Sequence, residues 1–269
     1  MIQVSVLPRP LAAVLMTLAV LLAGCNSTPT VPESQWSAER LYSEAKEEAS
    51  LGNYERAGKL YERLEGRASG TALAQQAQIE RAYMLYKSAD KAQALSVLER
   101  FVKLHPTSAA LDYALYLQGL INFNENLGVM GSLSNQDLSE RDQQASRDSF
   151  QSFKQLVDQF PQSLYADDAR LRMNYIVNSL ASYEVHVARY YFRRGAYVAA
   201  VNRAQTVVAE FQNSPSAHEA LFIMSQSYDK LGLPELRDDA DRVLRQSFPD
   251  TTIYTDGLRT AKKAWWQLW

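Results

Sequence analysis

The sequence predicts an all-α chain, a solenoid of about ten helices arranged in five antiparallel pairs. Three observations lead there. Glycine (11) and proline (9) are scarce in 269 residues and alanine is abundant, which favours helix throughout. Amphipathic stretches recur, and four of them stop in nearly the same way: Leu104-His105-Pro106-Thr107-Ser108, Phe160-Pro161-Gln162-Ser163, Phe211-Gln212-Asn213-Ser214-Pro215 and Phe248-Pro249-Asp250-Thr251. Each stop carries a Ser or Thr able to cap the helix that follows. No strand signal competes.

The N-terminal segment is separate from this body. Leu11 to Leu22 is apolar except for Thr17, behind a positive start that includes Arg9. That is the length of a signal-peptide core and short of the roughly 20 residues a membrane span needs. It ends in Leu22-Ala23-Gly24-Cys25, which resembles a bacterial lipobox and holds the only cysteine. The resemblance implies cleavage of residues 1–24, lipid on the Cys25 sulfur and a further acyl chain on its new amine. One acyl chain binds a membrane only marginally, whereas several anchor it stably. By resemblance to sorted lipoproteins, Asn26 after the cysteine favours the outer membrane. Residues 25–35 are polar and proline-bearing and read as a lipidated tether. The body starts near Trp36. With Cys25 lipidated no thiol remains for disulfides or thiol catalysis.

The repeats organise the rest, from 36 to 250. Aligned on the residue before each stop, Leu98 and Phe101 fall on Phe153 and Leu156, then on Ala204 and Val207. The first repeat holds Tyr61 and Leu64 there. The last holds Asp241 and Leu244, a fading expected of an end unit with one neighbour fewer. The anchors Ala68, His105, Phe160, Phe211 and Phe248 are separated by 37, 55, 51 and 37 residues. The shorter values approach the roughly 34-residue helix–turn–helix of tetratricopeptide (TPR) proteins. In the first unit Ala45, Gly52-Asn53-Tyr54, Ala57 and Tyr61 fit that pattern, with Gly52 ending one helix and Tyr54 opening the next. The long spacings have two sources. Residues 124–138 carry two glycines and a polar run, and read as a long loop between the helices of the third pair. From Leu164 to Arg194 there is no breaker, so the fourth pair opens with one long helix that Arg193-Arg194-Gly195 ends. N-terminal repeats therefore cover 36–160, C-terminal repeats 164–250, and 251–269 is a tail.

No catalytic constellation emerges. His105, His186 and His218 share no metal-ligand spacing. Asp167-Asp168 and Asp238-Asp239 sit in first turns, where acids suit the helix dipole. A net charge of −2 with dispersed signs gives no footprint for nucleic acid. No cofactor is implied beyond the covalent lipid. Residues 187–203 are the densest cluster, with four aromatics and four arginines. They read either as core aromatics with solvated arginines or as a protein-binding edge formed by Arg189, Arg194, Tyr197 and Arg203. In the stretch from Leu111, Asp112 and Asn122 either line a groove or, for Asp112, cap a helix. Tyr61 joins them as a groove candidate.

Taken together these segments resemble the BamD family, lipoproteins of the outer-membrane β-barrel assembly machinery. The resemblance rests on the lipobox; Leu111-Asp112-Tyr113 with Gly119-Leu120; Ser139-Glu140-Arg141-Asp142; Phe160 to Tyr165; and Tyr183-Glu184 through Val187-Ala188-Arg189-Tyr190-Tyr191 to Arg194-Gly195-Ala196-Tyr197-Val198-Ala199. It implies a non-enzymatic scaffold at the periplasmic face of the outer membrane. Its C-terminal repeats would hold the last POTRA domain of the barrel subunit BamA, and its N-terminal repeats would receive unfolded outer-membrane proteins beside other Bam lipoproteins. Arg203 matches the family arginine that pairs with a BamA carboxylate. The chain departs from the pattern at Glu65-Gly66-Arg67-Ala68-Ser69-Gly70, where many relatives carry an aromatic–Pro turn, and at its tail Trp265-Trp266-Gln267-Leu268-Trp269. A second reading is another TPR lipoprotein, a pilotin for a secretin or pilus or an envelope coordinator, which plain 34-residue repeats throughout would have favoured.

Overall fold

The computed structural model describes residues 32–123 and 143–258. Cys25, the 124–138 loop and the tryptophans of the tail lie outside the described residues. A short 3-10 turn at Glu33–Gln35 leads into α1 (Ala38–Ser50), α2 (Tyr54–Arg67), α3 (Ala72–Lys87), α4 (Lys91–Leu104), α5 (Leu111–Asn122), α6 (Gln143–Gln159), α7 (Ala166–Arg193), α8 (Tyr197–Glu210), α9 (Ala217–Lys230) and α10 (Pro234–Ser247). A four-residue helix, α11 (Ile253–Asp256), follows. Among the described residues the ten long helices form the five pairs that the repeats predicted.

Two turn types build the stack, and the sequence explains both. Inside the pairs α1–α2, α3–α4, α7–α8 and α9–α10, the first helix ends on a residue with positive φ: Gly52, Ala89, Gly195 and Gly232. The two backbone bonds of a Schellman cap recur at each, as in Gly52 N–H to Ala49 O (3.1 Å) and Asn53 N–H to Glu48 O (2.9 Å). Between pairs, the Ser or Thr of the stop closes a tight turn. Ser163 N–H donates to Phe160 O (3.0 Å), and Ser163 Oγ accepts from Tyr165 N–H (3.2 Å). Ser108, Ser214 and Thr251 repeat this arrangement. Glu65 to Gly70 lacks the aromatic–Pro stop, yet Thr71 N–H still donates to Ala68 O (3.1 Å) and Thr71 Oγ1 caps Ala74 N–H (3.3 Å).

The aligned slots form the spine of the core. Tyr61, Leu64, Leu98, Phe101, Phe153, Leu156, Ala204, Val207 and Leu244 are all essentially inaccessible. Small residues let the helices close on one another. Gly119 of α5 faces the Phe153 ring of α6, and its carbonyl accepts a hydrogen bond from the buried Ser149 Oγ at 2.8 Å. At 28 residues, α7 packs against both α6 and α8, so it joins the two halves of the stack. First helices of neighbouring pairs also touch in two places, α3 with α5 and α7 with α9, whereas no two second helices touch to that extent. The first helices therefore line the inner face.

Both ends of the repeat body extend further than the sequence suggested. Residues 33–35, expected within the tether, dock on α2 together with Trp36. Glu33 pairs with Arg56 and Arg63, and Arg67 donates to the carbonyls of Ser34 (2.6 Å) and Trp36 (3.0 Å). Ile253, expected in the tail, is buried against Leu221 and Leu244. Tyr254 donates to Asp241 Oδ1 at 2.6 Å, which gives the departed core slot Asp241 a partner.

Candidate partner-binding surfaces

The helical pattern of α7 buries Ile176, Leu180, Val185 and Ala188, and on that same stripe it buries Glu184 (4% exposed). A carboxylate without water needs a cation close by. Arg203 of α8 supplies it, donating from Nη1 to Glu184 Oε2 at 3.2 Å. Glu219 of α9 is buried likewise (5%), and Arg189 of α7 donates from Nε to its Oε1 at 2.8 Å. Two ion pairs therefore tie α7 to α8 and α7 to α9.

The two pairs differ in access. The Arg189 side chain is 15% exposed and its acid 7%. Arg189, expected at a partner-binding edge, is instead spent on an internal pair, because the buried Glu219 holds it. The Arg203 side chain is 47% exposed although its acid is 5%. Its guanidinium thus has one nitrogen anchored and an open flank. Close by in the chain, Arg194 lies over the Tyr190 ring at 5.4 Å and Tyr197 meets Phe192 edge-on at 5.6 Å. Tyr190 (46%) and Val198 (61%) are exposed beside them in sequence. The α7–α8 turn so displays tyrosine and arginine side chains, the residue types that concentrate binding energy at protein interfaces, with Val198 adding apolar area.

The predicted groove residues separate. Tyr61 is 1% exposed and packs edge-on to Tyr42 at 6.3 Å, so it belongs to the core and lines no groove. Burial, with the Glu80 carboxylate and Tyr42 nearby, pushes its phenol well above the usual range. Asp112 accepts from Tyr113 N–H and from Ser163 Oγ (both 2.7 Å), which stitches α5 to the turn before α7 and leaves it structural. Asn122 is half-buried at the end of α5, the last helical residue before the undescribed stretch.

Sequence reasoning foresaw neither the pairing of the buried acids with the arginines nor the network that joins α5 to α7. There, Tyr116 donates to Asp168 Oδ2 (2.7 Å) and Arg172 Nε donates to the same oxygen (2.6 Å). Arg172 also covers the Phe123 ring at 4.8 Å. Burial, then the Asp168 carboxylate, pushes the Tyr116 phenol up to about 12. Burial works against the Asp168 carboxylate, but the Tyr116 and Arg172 bonds outweigh it and hold that pKa below its ordinary value. The available signal was charge inside an apolar stripe: Glu184 sits four residues from both Leu180 and Ala188.

Among the described residues no cluster of His, Cys, Asp or Glu is placed to hold a metal, and no helix is long and apolar enough to cross a membrane. Stacked helix pairs, an inner face of first helices and an aromatic–arginine edge define a helical-repeat protein of the binding class. Comparison with known proteins agrees. Residues 34–244 match the YfiO family, described as an outer membrane lipoprotein. An outer membrane protein assembly factor BamD from Neisseria meningitidis serogroup A is 43% identical over 259 residues, 94% of this chain and 97% of that protein. Proteins of the same name from Vibrio cholerae and Xylella fastidiosa Temecula1 are 36% identical over 219 residues and 34% over 244. These cover 80% and 90% of this chain, and 89% and 83% of the relatives. The chain belongs to the BamD family of outer-membrane protein assembly factors. The family, the all-helical repeat fold and a non-enzymatic role at the outer membrane are thus those read from the sequence.

Proposed function

We propose that the chain is a lipid-anchored scaffold on the periplasmic face of the outer membrane. Its C-terminal repeats hold a BamA-type barrel subunit, and its inner N-terminal face receives unfolded outer-membrane proteins. The observation that carries the reading is Arg203, anchored by Glu184 on one side and open on the other. A guanidinium fixed in this way can meet a partner carboxylate through its remaining N–H groups, with little rotamer freedom left to lose. The Tyr190–Val198 edge supplies apolar area nearby. Lipid on Cys25 would tie the body to the membrane, since Glu33 to Trp36 are fastened to α2 and the chain from Cys25 to Glu33 spans at most about 28 Å. Other Bam lipoproteins would share the assembly.

Co-purification tests this. Tagged protein extracted from membranes, with mass spectrometry of what accompanies it, should recover a barrel protein bearing POTRA domains. Recovery of a secretin or pilus subunit in its place would reject the reading.

A further inference from the structure

The inner face of the N-terminal half carries a row of half-buried tyrosines, with one acid among them. Tyr42 of α1, Tyr83 of α3 and Tyr113 of α5 lie on the first helices of three successive pairs. Tyr113 stacks at a tilt on Tyr165, which precedes α7, with ring centroids 5.4 Å apart. Glu80 of α3 lies one turn before Tyr83, and Gln76, a turn earlier still, donates from Nε2 to the Tyr42 hydroxyl of α1 at 2.9 Å. The Glu80 carboxylate is near enough to Tyr113 to raise that phenol, after burial itself, up to about 12. Unlike Glu184 and Glu219, Glu80 makes no ion pair among the described residues. The cation acting on it is Lys46 of α1, whose Nζ lies over the Tyr42 ring 5.7 Å from its centroid.

A half-buried carboxylate with no cation in contact leaves its desolvation unbalanced. Aromatic faces beside it add attraction for positive charge. A neutral donor gains only a hydrogen bond to the carboxylate, and an anionic group is repelled. We infer that this part of the inner face is a cation-selective subsite, which takes a lysine or arginine side chain of an extended polypeptide against Glu80, beside the tyrosines of α1, α3 and α5. The inference rests on the reading above that this face receives unfolded protein, and it names the side chain that the face selects. Lys46 shows that a primary ammonium is tolerated at the rim.

The test uses the full lipid-free chain and two labelled peptides of alternating aromatic and polar residues. They differ only in a central lysine against a glutamine, and binding is read by fluorescence anisotropy. The lysine peptide should bind about tenfold more tightly, and Glu80→Gln should bring it to the level of its twin while the twin is unaffected. Glu80→Gln removes a poorly solvated charge, so an unchanged or higher melting temperature separates lost binding from lost fold. If both peptides bind wild type equally, or Glu80→Gln keeps the preference, the subsite is overturned and the receiving face survives. If the preference arises only in Lys46→Ala, Lys46 fills the site itself and the inference fails. If neither peptide binds, the receiving face is wrong.

Discussion

Glu184 and Arg203 form an ion pair that is buried on one side only: the acid side chain is 5% exposed, the arginine 47%, and 3.2 Å separates them. The arrangement gives Arg203 two duties, to neutralise an acid inside the stack and to present charge outside it. Arg203→Ala should therefore lower stability as well as partner binding. The stranded carboxylate costs on the order of 1–3 kcal/mol. Arg203→Glu should be worse, because two carboxylates would then oppose one another. Urea unfolding of both variants checks this, and wild-type stability for Arg203→Ala would show that the pair is structurally idle.

Gly119 lies against the Phe153 ring so closely that a methyl group there would overlap the ring edge. Phe153 is fully buried and cannot swing away. Gly119→Ala should cost about 1–3 kcal/mol through overpacking. Phe153→Leu in the same chain should recover part of the loss. Denaturant midpoints of the two variants and the pair decide it.

Ala89 occupies, at φ 67°, the turn position that three other repeats give to glycine. A left-handed conformation costs an L-residue about 1–2 kcal/mol, and glycine's extra freedom in the unfolded chain returns roughly half of that. Ala89→Gly should stabilise by about 0.5–1 kcal/mol. A lower melting temperature would contradict the cap geometry.

Burial holds the Glu80 carboxyl above its ordinary value, and Lys46 opposes this only in part. Between the unfolded value, about 4.3, and the raised folded value, the native state binds more protons than the unfolded one. Stability contributed at this site therefore falls as pH rises through that window. Glu80→Gln lacks this dependence. It should match or exceed wild type at neutral pH and lose its advantage below about pH 4. Melting curves across that range read the difference.

Much of the architecture is legible without coordinates, because each repeat carries its own punctuation. The stops at His105, Phe160, Phe211 and Phe248 place the last four pairs, and the slots Tyr61 and Leu64 place the first. The breaker-free run from Leu164 to Arg194 gives the length of α7. The candidate site is less legible. Arg189 and Arg203 look alike in sequence, since each is an arginine near tyrosine and alanine. What separates them is the acid each meets and how far that meeting is exposed, and both acids lie at least 19 residues away along the chain. Tyr61 reads as a groove residue or a core residue until packing places it, because an aromatic at a repeat slot can turn either way. Glu80 lacked any local motif: its tyrosines come from three different pairs.

The most direct measurement of the central claim is the affinity of the full chain for the periplasmic domains of the barrel subunit. It should be made with wild type and with the double variant Glu184→Gln/Arg203→Leu, which removes the exposed cation without stranding a buried charge. The predicted result is an intact fold with binding weakened at least about thirtyfold. An intact fold with unchanged affinity would contradict the account, and Arg203 would then be a purely internal partner of Glu184.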